Sequence, residues 1–156
     1  MTTRTEPLIV VGVDGSQHSR QALRWAVEHA RSLGGRVHAV VGWEWNRNPF
    51  ALGAAADRTS ANELVTIEDA AGQRLAETVE ETLGAEPGVR VCRRVLQGPA
   101  AQVLIEAARD AEVLVVGTRG YGGIKGALLG SVSQQVVQYA PCSVVVVRDR
   151  AERAAA

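Results

Sequence analysis

Five short, mostly apolar runs, each closed by turn residues and separated by segments of helix length, restrict this chain more than any other feature. Residues 8–13, Leu-Ile-Val-Val-Gly-Val, are continuously apolar and end at Asp14-Gly15-Ser16. A strand covered on both faces has this composition, whereas one with a wet face alternates. Residues 112–117 and 143–148 hold similar apolar runs, and 36–43, Arg-Val-His-Ala-Val-Val-Gly-Trp, returns to strand composition. The run at 89–96 differs, because Arg90, Arg93 and Arg94 interrupt its apolar positions. That mixture predicts a half-exposed strand at one edge of a sheet.

Between the runs the period changes. Ala22, Leu23, Ala26, Val27, Ala30 and Leu33 recur at three- and four-residue spacing, Ser16 can cap the start, and Gly34-Gly35 mark the end, which predicts a helix over 18–33. Leu64, Ile67, Ala71, Leu75, Val79 and Leu83 predict a second, over 60–83, ending at Gly84. A third begins near Pro99 or Ala100, and a fourth covers 131–139 before Ala140-Pro141. Five strands alternating with four helices predict an α/β fold: a single open five-stranded, mostly parallel sheet with helices on both faces, Rossmann-like in connection. Ligands of such sheets lie outside the carboxyl ends of the strands where strand order reverses, so the first and fourth strands are expected to flank the crevice. One domain is expected over residues 1–150, with 151–156 a short flexible tail. The connection at 44–59, with Asn46, Asn48, Pro49 and Gly53, is a candidate lid.

Composition narrows the function classes. At 46% apolar and 22% charged residues the chain can bury a core. Seventeen Lys plus Arg balance 17 Asp plus Glu, which leaves no excess charge for a nucleic-acid backbone or an anionic membrane. Aromatic residues make up 4%, too few for a base-stacking platform. No run approaches a membrane span and residues 1–7 lack the apolar centre of a signal peptide, so a soluble, cytoplasmic protein is expected. Cys92 and Cys142 lack metal-ligand spacing and read as buried, reduced thiols; His18, His29 and His38 form no ligand pair. No metal-ligating or catalytic residue is assigned.

The stretch 117–133 holds the densest chemistry. Gly117 and Gly120 stand three apart, nine residues follow, and Gly130-Ser131 then opens a helix. Glycines let backbone N–H groups approach a phosphate, and a helix start with the Ser131 and Ser133 hydroxyls favours an anion. Turns alone also collect glycines, and neither G-x-x-x-x-G-K-[ST] nor G-x-G-x-x-G is present. Arg119 and Lys125 are candidates to screen phosphate charge. Asp14 has two readings, an Asp-Gly turn after a strand and a ligand group at the expected crevice. Trp25 lies beside the first helix's apolar stripe, while Trp43 or Trp45 could border a base pocket.

The ordered set 9–16 (Ile-Val-Val-Gly-Val-Asp-Gly-Ser), 97–100 (Gln-Gly-Pro-Ala), 115–123, 129–133 and 140–142 (Ala-Pro-Cys) resembles the universal stress protein family. The spacing G-x-x-G, nine residues, G-[ST] is similar to that of its nucleotide-binding branch. The resemblance implies an ATP-binding domain, usually a homodimer, with ATP and Mg2+ as the expected ligands. It implies that Asp14 contacts the adenine and ribose side, that the backbone at Val41 or Gly42 meets the base, and that Gly117 and Gly120 lie along ribose and phosphates. Gly130, Ser131, Val132 and Ser133 would close on the outer phosphates. Gly42 replaces a small apolar residue common in the family, and Ser143 a common proline.

The expected function is therefore a nucleotide-dependent stress-response regulator. The alternatives are a cyclic-AMP-binding or nucleotide-independent interaction module and, further off, a slow ATPase or autophosphorylating enzyme. A nucleotidyltransferase or ATP pyrophosphatase would show H-x-G-H or S-G-G-x-D-S after the first strand, and neither occurs; Ser131 lacks the G-x-S-x-G of a hydrolase elbow. The apolar strand at 143–148 is expected to pair with a second copy, giving a homodimer, with an unidentified protein partner downstream.

Overall fold

The computed structural model describes residues 5–44, 61–120 and 129–149, and of 61–66 the backbone alone. The described elements are β1 (Leu8–Gly12), α1 (Gln17–Leu33), β2 (Arg36–Trp43), α2 (Ala61–Leu83), β3 (Val91–Gln97), α3 (Ala100–Ala107), β4 (Val113–Gly117), α4 (Ser131–Tyr139) and β5 (Ser143–Val147). They form one five-stranded sheet in the order β3-β2-β1-β4-β5. All four pairings are parallel, so "mostly parallel" understates the result. The arginine-bearing β3 is an edge strand, as its composition predicts.

The chain leaves the centre through β1, builds outward to β2 and β3, then crosses back to β4 and β5. Right-handed crossovers in opposite directions put α1 and α2 on one face and α3 and α4 on the other. Two cores result. Ile9, Val11 and Val13 point toward α1 with Leu23, Ala26 and Leu75. Leu8 and Val10 point toward α3 and α4 with Leu104, Leu114 and Val136. One alternating strand thus serves both layers, which is why β1 is apolar at every position but its closing glycine.

Local signals act as expected at α1. The Ser19 N–H donates to Ser16 Oγ at 3.2 Å, and Gly34 ends the helix at φ +66° in the left-handed region. Trp25 is partly buried against the first core and stacks on His29, with ring centroids 4.7 Å apart. Two expectations change. Cys92 and Cys142 are free but only half-buried, because Cys92 lies on the edge strand β3 and Cys142 directly precedes the other edge strand, β5. Trp43 is buried at 8% exposure, and its indole nitrogen finds no partner among the described residues. Trp45, Lys125, the 44–59 connection beyond Glu44 and the tail beyond Asp149 lie outside the described residues.

His38 Nδ1 is buried without a partner among the described residues. Burial first, then the Arg36 and Arg94 charges, pushes its pKa below the ordinary 6.5. The unfolded chain therefore takes up this proton before the folded one, and stability falls as pH drops below about 6.5 and is flat above it. Urea unfolding at pH 7.5 and 5.0 is expected to show that loss, and His38→Gln to reduce it; an unchanged pH slope in the variant would refute the assignment.

Candidate functional site

A cavity of about 510 Å³ opens at the carboxyl ends of β1, β2 and β4, where strand order reverses. All ten residues singled out by sequence line it. Asp14 follows β1, Val41 and Gly42 close β2, and Gly117 ends β4 with Arg119 and Gly120 just beyond. Gly130, Ser131, Val132 and Ser133 come from the start of α4. The two segments that were far apart in sequence meet because β1 and β4 are paired neighbours.

Asp14 combines its two readings. Its Oδ1 accepts the Ser16 N–H at 2.9 Å, making the turn into α1, and its own N–H reaches Ser19 Oγ at 3.3 Å. The Ser19 hydroxyl donates to the Ser16 carbonyl at 3.0 Å. Its other oxygen, Oδ2, faces Gly120, where an added methyl group would fall on it. The turn thus fixes the carboxylate against the cavity wall.

The backbone of β2 separates Val41 from Gly42. Arg36 N–H donates to the Pro7 carbonyl and Val13 N–H to the Val40 carbonyl, both at 2.9 Å, so even-numbered residues of β2 turn their backbone groups toward β1. Val37 N–H and the Trp43 carbonyl bond on the β3 side. By this alternation Gly42 presents its N–H and carbonyl past the end of β1, into the cavity mouth, while Val41 spends its own on β3. Gly42 is also sterically required: a Cβ there would meet Val103 Cγ2 at 2.8 Å and Ala100 Cα at 3.0 Å.

At the opposite end, the Gly130 N–H donates to the Thr118 carbonyl at 2.7 Å. The Ser133 hydroxyl lies 3.0 Å from both the Gly117 and Thr118 carbonyls and donates there. Ser133 is 3% exposed, so its side chain ties α4 to β4. The helical ladder begins with Gln134 N–H on the Gly130 carbonyl at 3.0 Å. The N–H groups of Ser131, Val132 and Ser133 therefore have no carbonyl one turn back, the arrangement that draws an anion. The Ser131 side chain is exposed.

Ala100 and Leu104 of α3, with Val40 and Val116, supply an apolar wall that the sequence reading did not assign. The motif Gln97-Gly98-Pro99-Ala100 was the available signal, since it starts the helix that carries both. Ser19 and Gln134 were also missed; nothing in their spacing marks them. Trp43 does not line the cavity. Among the described lining residues Asp14 is the one carboxylate, and no three His, Cys, Asp or Glu side chains of the described residues converge on a metal position.

The sequence model of the universal stress protein family matches residues 8–148. The chain belongs to the universal stress protein family. A universal stress protein of Mycolicibacterium smegmatis is 34% identical over 148 residues, covering 92% of this chain and 48% of the relative. One from Thermus aquaticus is 36% identical over 145 residues, covering 90% and 97%. The chain thus spans about half of the mycobacterial relative and nearly all of the Thermus one. Among solved structures, universal stress protein UspA of Lactobacillus plantarum superposes with TM-score 0.72 at 20% identity, covering 91% of this chain and 97% of that one. A universal stress protein in complex with cAMP superposes at 0.57 with 24% identity, covering 92% and 97%. One from Archaeoglobus fulgidus in complex with dAMP superposes at 0.55 with 21% identity, covering 91% and 97%. At these identities the superpositions establish the shared fold.

Proposed function

We propose that this universal stress protein domain binds an adenine nucleotide, ATP in the first instance, and acts as a nucleotide-dependent stress-response regulator in the cytoplasm. One observation carries the reading: a single cavity has the Gly42 backbone pair at one end, the α4 N-terminus at the other and Asp14 between. An N–H beside a C=O complements N1 and the exocyclic amine of adenine, whereas guanine offers a donor and a carbonyl in those places. The apolar wall of Leu104 and Val116 suits a base, a carboxylate suits a ribose diol, and the first turn of α4 suits phosphates. The complexes of two family members with cAMP and dAMP support an adenine ligand.

With Asp14 at the ribose position, Mg2+ would be carried by the phosphates, the usual mode for this ion. Turnover needs an oriented water and a group to stabilise charge at the outer phosphate; of the lining residues described, Arg119 alone brings a cation. Binding and release, rather than hydrolysis, is the activity this supports. Cyclic AMP is the second reading, favoured by the cAMP complex of a family member. In our reading the outer edge of β5, which among the described residues pairs only with β4, joins a second copy as a homodimer, and an unidentified protein partner reads the occupancy.

Calorimetric titration with ATP, ADP, cyclic AMP and GTP, after removal of nucleotide carried through purification, tests the ligand. Adenine nucleotides are expected to bind at least about tenfold more tightly than GTP, the worth of one mismatched buried hydrogen bond. No heat with any adenine nucleotide would sink the proposal.

A further inference from the structure

A second cavity, of about 390 Å³, lies on the other face of the sheet and shares Val13, Asp14, Val41 and Gly42 with the first. Its far wall is one stripe of α2: Ile67, Ala70, Ala71, Arg74 and Leu75. Alanine at two successive positions of that stripe leaves a shallow apolar shelf where larger side chains would fill the space. Arg74 stands at its edge, with its Cδ 3.5 Å from where a Cβ at Gly15 would be, and Gly15 is held at φ +87°. The neighbouring Arg20 is committed, to Glu81 at 2.9 Å and to the Gly15 carbonyl at 3.3 Å. Arg74, by contrast, pairs with no carboxylate among the described residues and is exposed.

Asp14 is the one charged residue among the four that line both cavities. This argument rests on the nucleotide reading above, in which Asp14 faces the ribose hydroxyls. A substituent on those hydroxyls leaves the first cavity past Asp14 and enters the second. Among the described residues the second cavity offers an apolar shelf and the Arg74 guanidinium, which pairs with none of their carboxylates. Such a surface matches an aromatic base preceded by a singly charged phosphodiester, because a guanidinium both pairs with the phosphate and stacks on a ring. A doubly charged terminal phosphate fits less well beside the Asp14 carboxylate.

We infer that the binding site continues across Asp14 into the α2 cavity and takes an adenosine nucleotide extended from its ribose, a 3′-linked dinucleotide, with Arg74 on the linking phosphate and the second base on the Ile67, Ala70 and Ala71 shelf. The probe pair is AMP and 5′-phosphoadenylyl-(3′→5′)-adenosine, which differ only in the 3′ extension. The dinucleotide is expected to bind about tenfold or more tightly than AMP. Arg74→Gln, and separately Ala71→Leu to fill the shelf, are expected to erase that advantage and leave AMP affinity unchanged. AMP bound normally with the dinucleotide no tighter overturns this inference alone, as does an advantage that survives both variants. No AMP binding at all overturns the nucleotide reading and this one with it.

Discussion

Replacing Gly117 by valine is expected to remove about 3 kcal/mol or more of folding stability, at the upper end of overpacking costs. A Cβ at this position would lie 2.8 Å from both the carbonyl carbon and Cβ of His18, and 2.9 Å from the His18 carbonyl oxygen. These are mostly backbone atoms in the first turn of α1, so no side-chain rotation relieves them. The helix cannot retreat, because Ala22, Leu23 and Ala26, all fully buried, hold it against the sheet, and Ser16 fixes its start. Domains have only about 5–15 kcal/mol in total, so the urea midpoint should fall sharply. A midpoint within error of the parent would mean that α1 does not lie over the end of β4. This glycine therefore makes a poor probe of ligand binding, since its loss acts through the fold.

Gly120→Ala is expected to do the reverse: little change in the unfolding midpoint, and a loss of adenine-nucleotide affinity of about 10- to 100-fold, the worth of one to two good polar contacts. The added methyl group lands on Asp14 Oδ2, and the carboxylate can turn away for about 1 kcal/mol, the worth of the Oδ1 bond to the Ser16 N–H that it gives up. In doing so it leaves the cavity wall and the position from which it can meet a ribose. The two losses are expected to be non-additive: once Asp14→Ala has removed the carboxylate, Gly120→Ala should have no further effect on affinity. Additive losses in this cycle would separate Gly120 from Asp14.

Much of this was legible in the sequence, for reasons that differ by element. The β1 run and the Asp14-Gly15-Ser16 turn state their own roles, since a doubly covered strand and a capped helix leave direct marks in composition. The position of the crevice followed from topology, because five strands wound in two directions leave one place where β1 and β4 diverge. The choice between Val41 and Gly42 was not legible: it depends on which way a peptide unit faces, and the bonds of β2 to Pro7 and Val13 on one side and to Arg90 and Gly98 on the other show that. Trp43 misled because aromatic residues at strand ends often border pockets; here its side chain turns to the opposite face from Gly42 and is buried. Ser133 looks like a phosphate ligand in the motif, while its hydroxyl is spent on the carbonyls of Gly117 and Thr118. The α2 cavity was hidden because Ala71 reads as an ordinary member of a helical stripe, and what it and its neighbour Ala70 lack in volume shows only when β1 and β2 are placed opposite.

The bond between the Thr118 carbonyl and the Gly130 N–H, with Ser133 beside it, staples together the two ends of the stretch 119–129. Its closure is thereby set by atoms outside it, and the sheet does not register how long the intervening chain is. Each doubling of the chain length between two stapled ends costs only about 0.6 kcal/mol in closure entropy. Evolution can thus change the length between Gly120 and Leu129 at little cost to the fold, as a handle is exchanged on a tool, while Arg119 and Gly120 stay tied to the cavity they line.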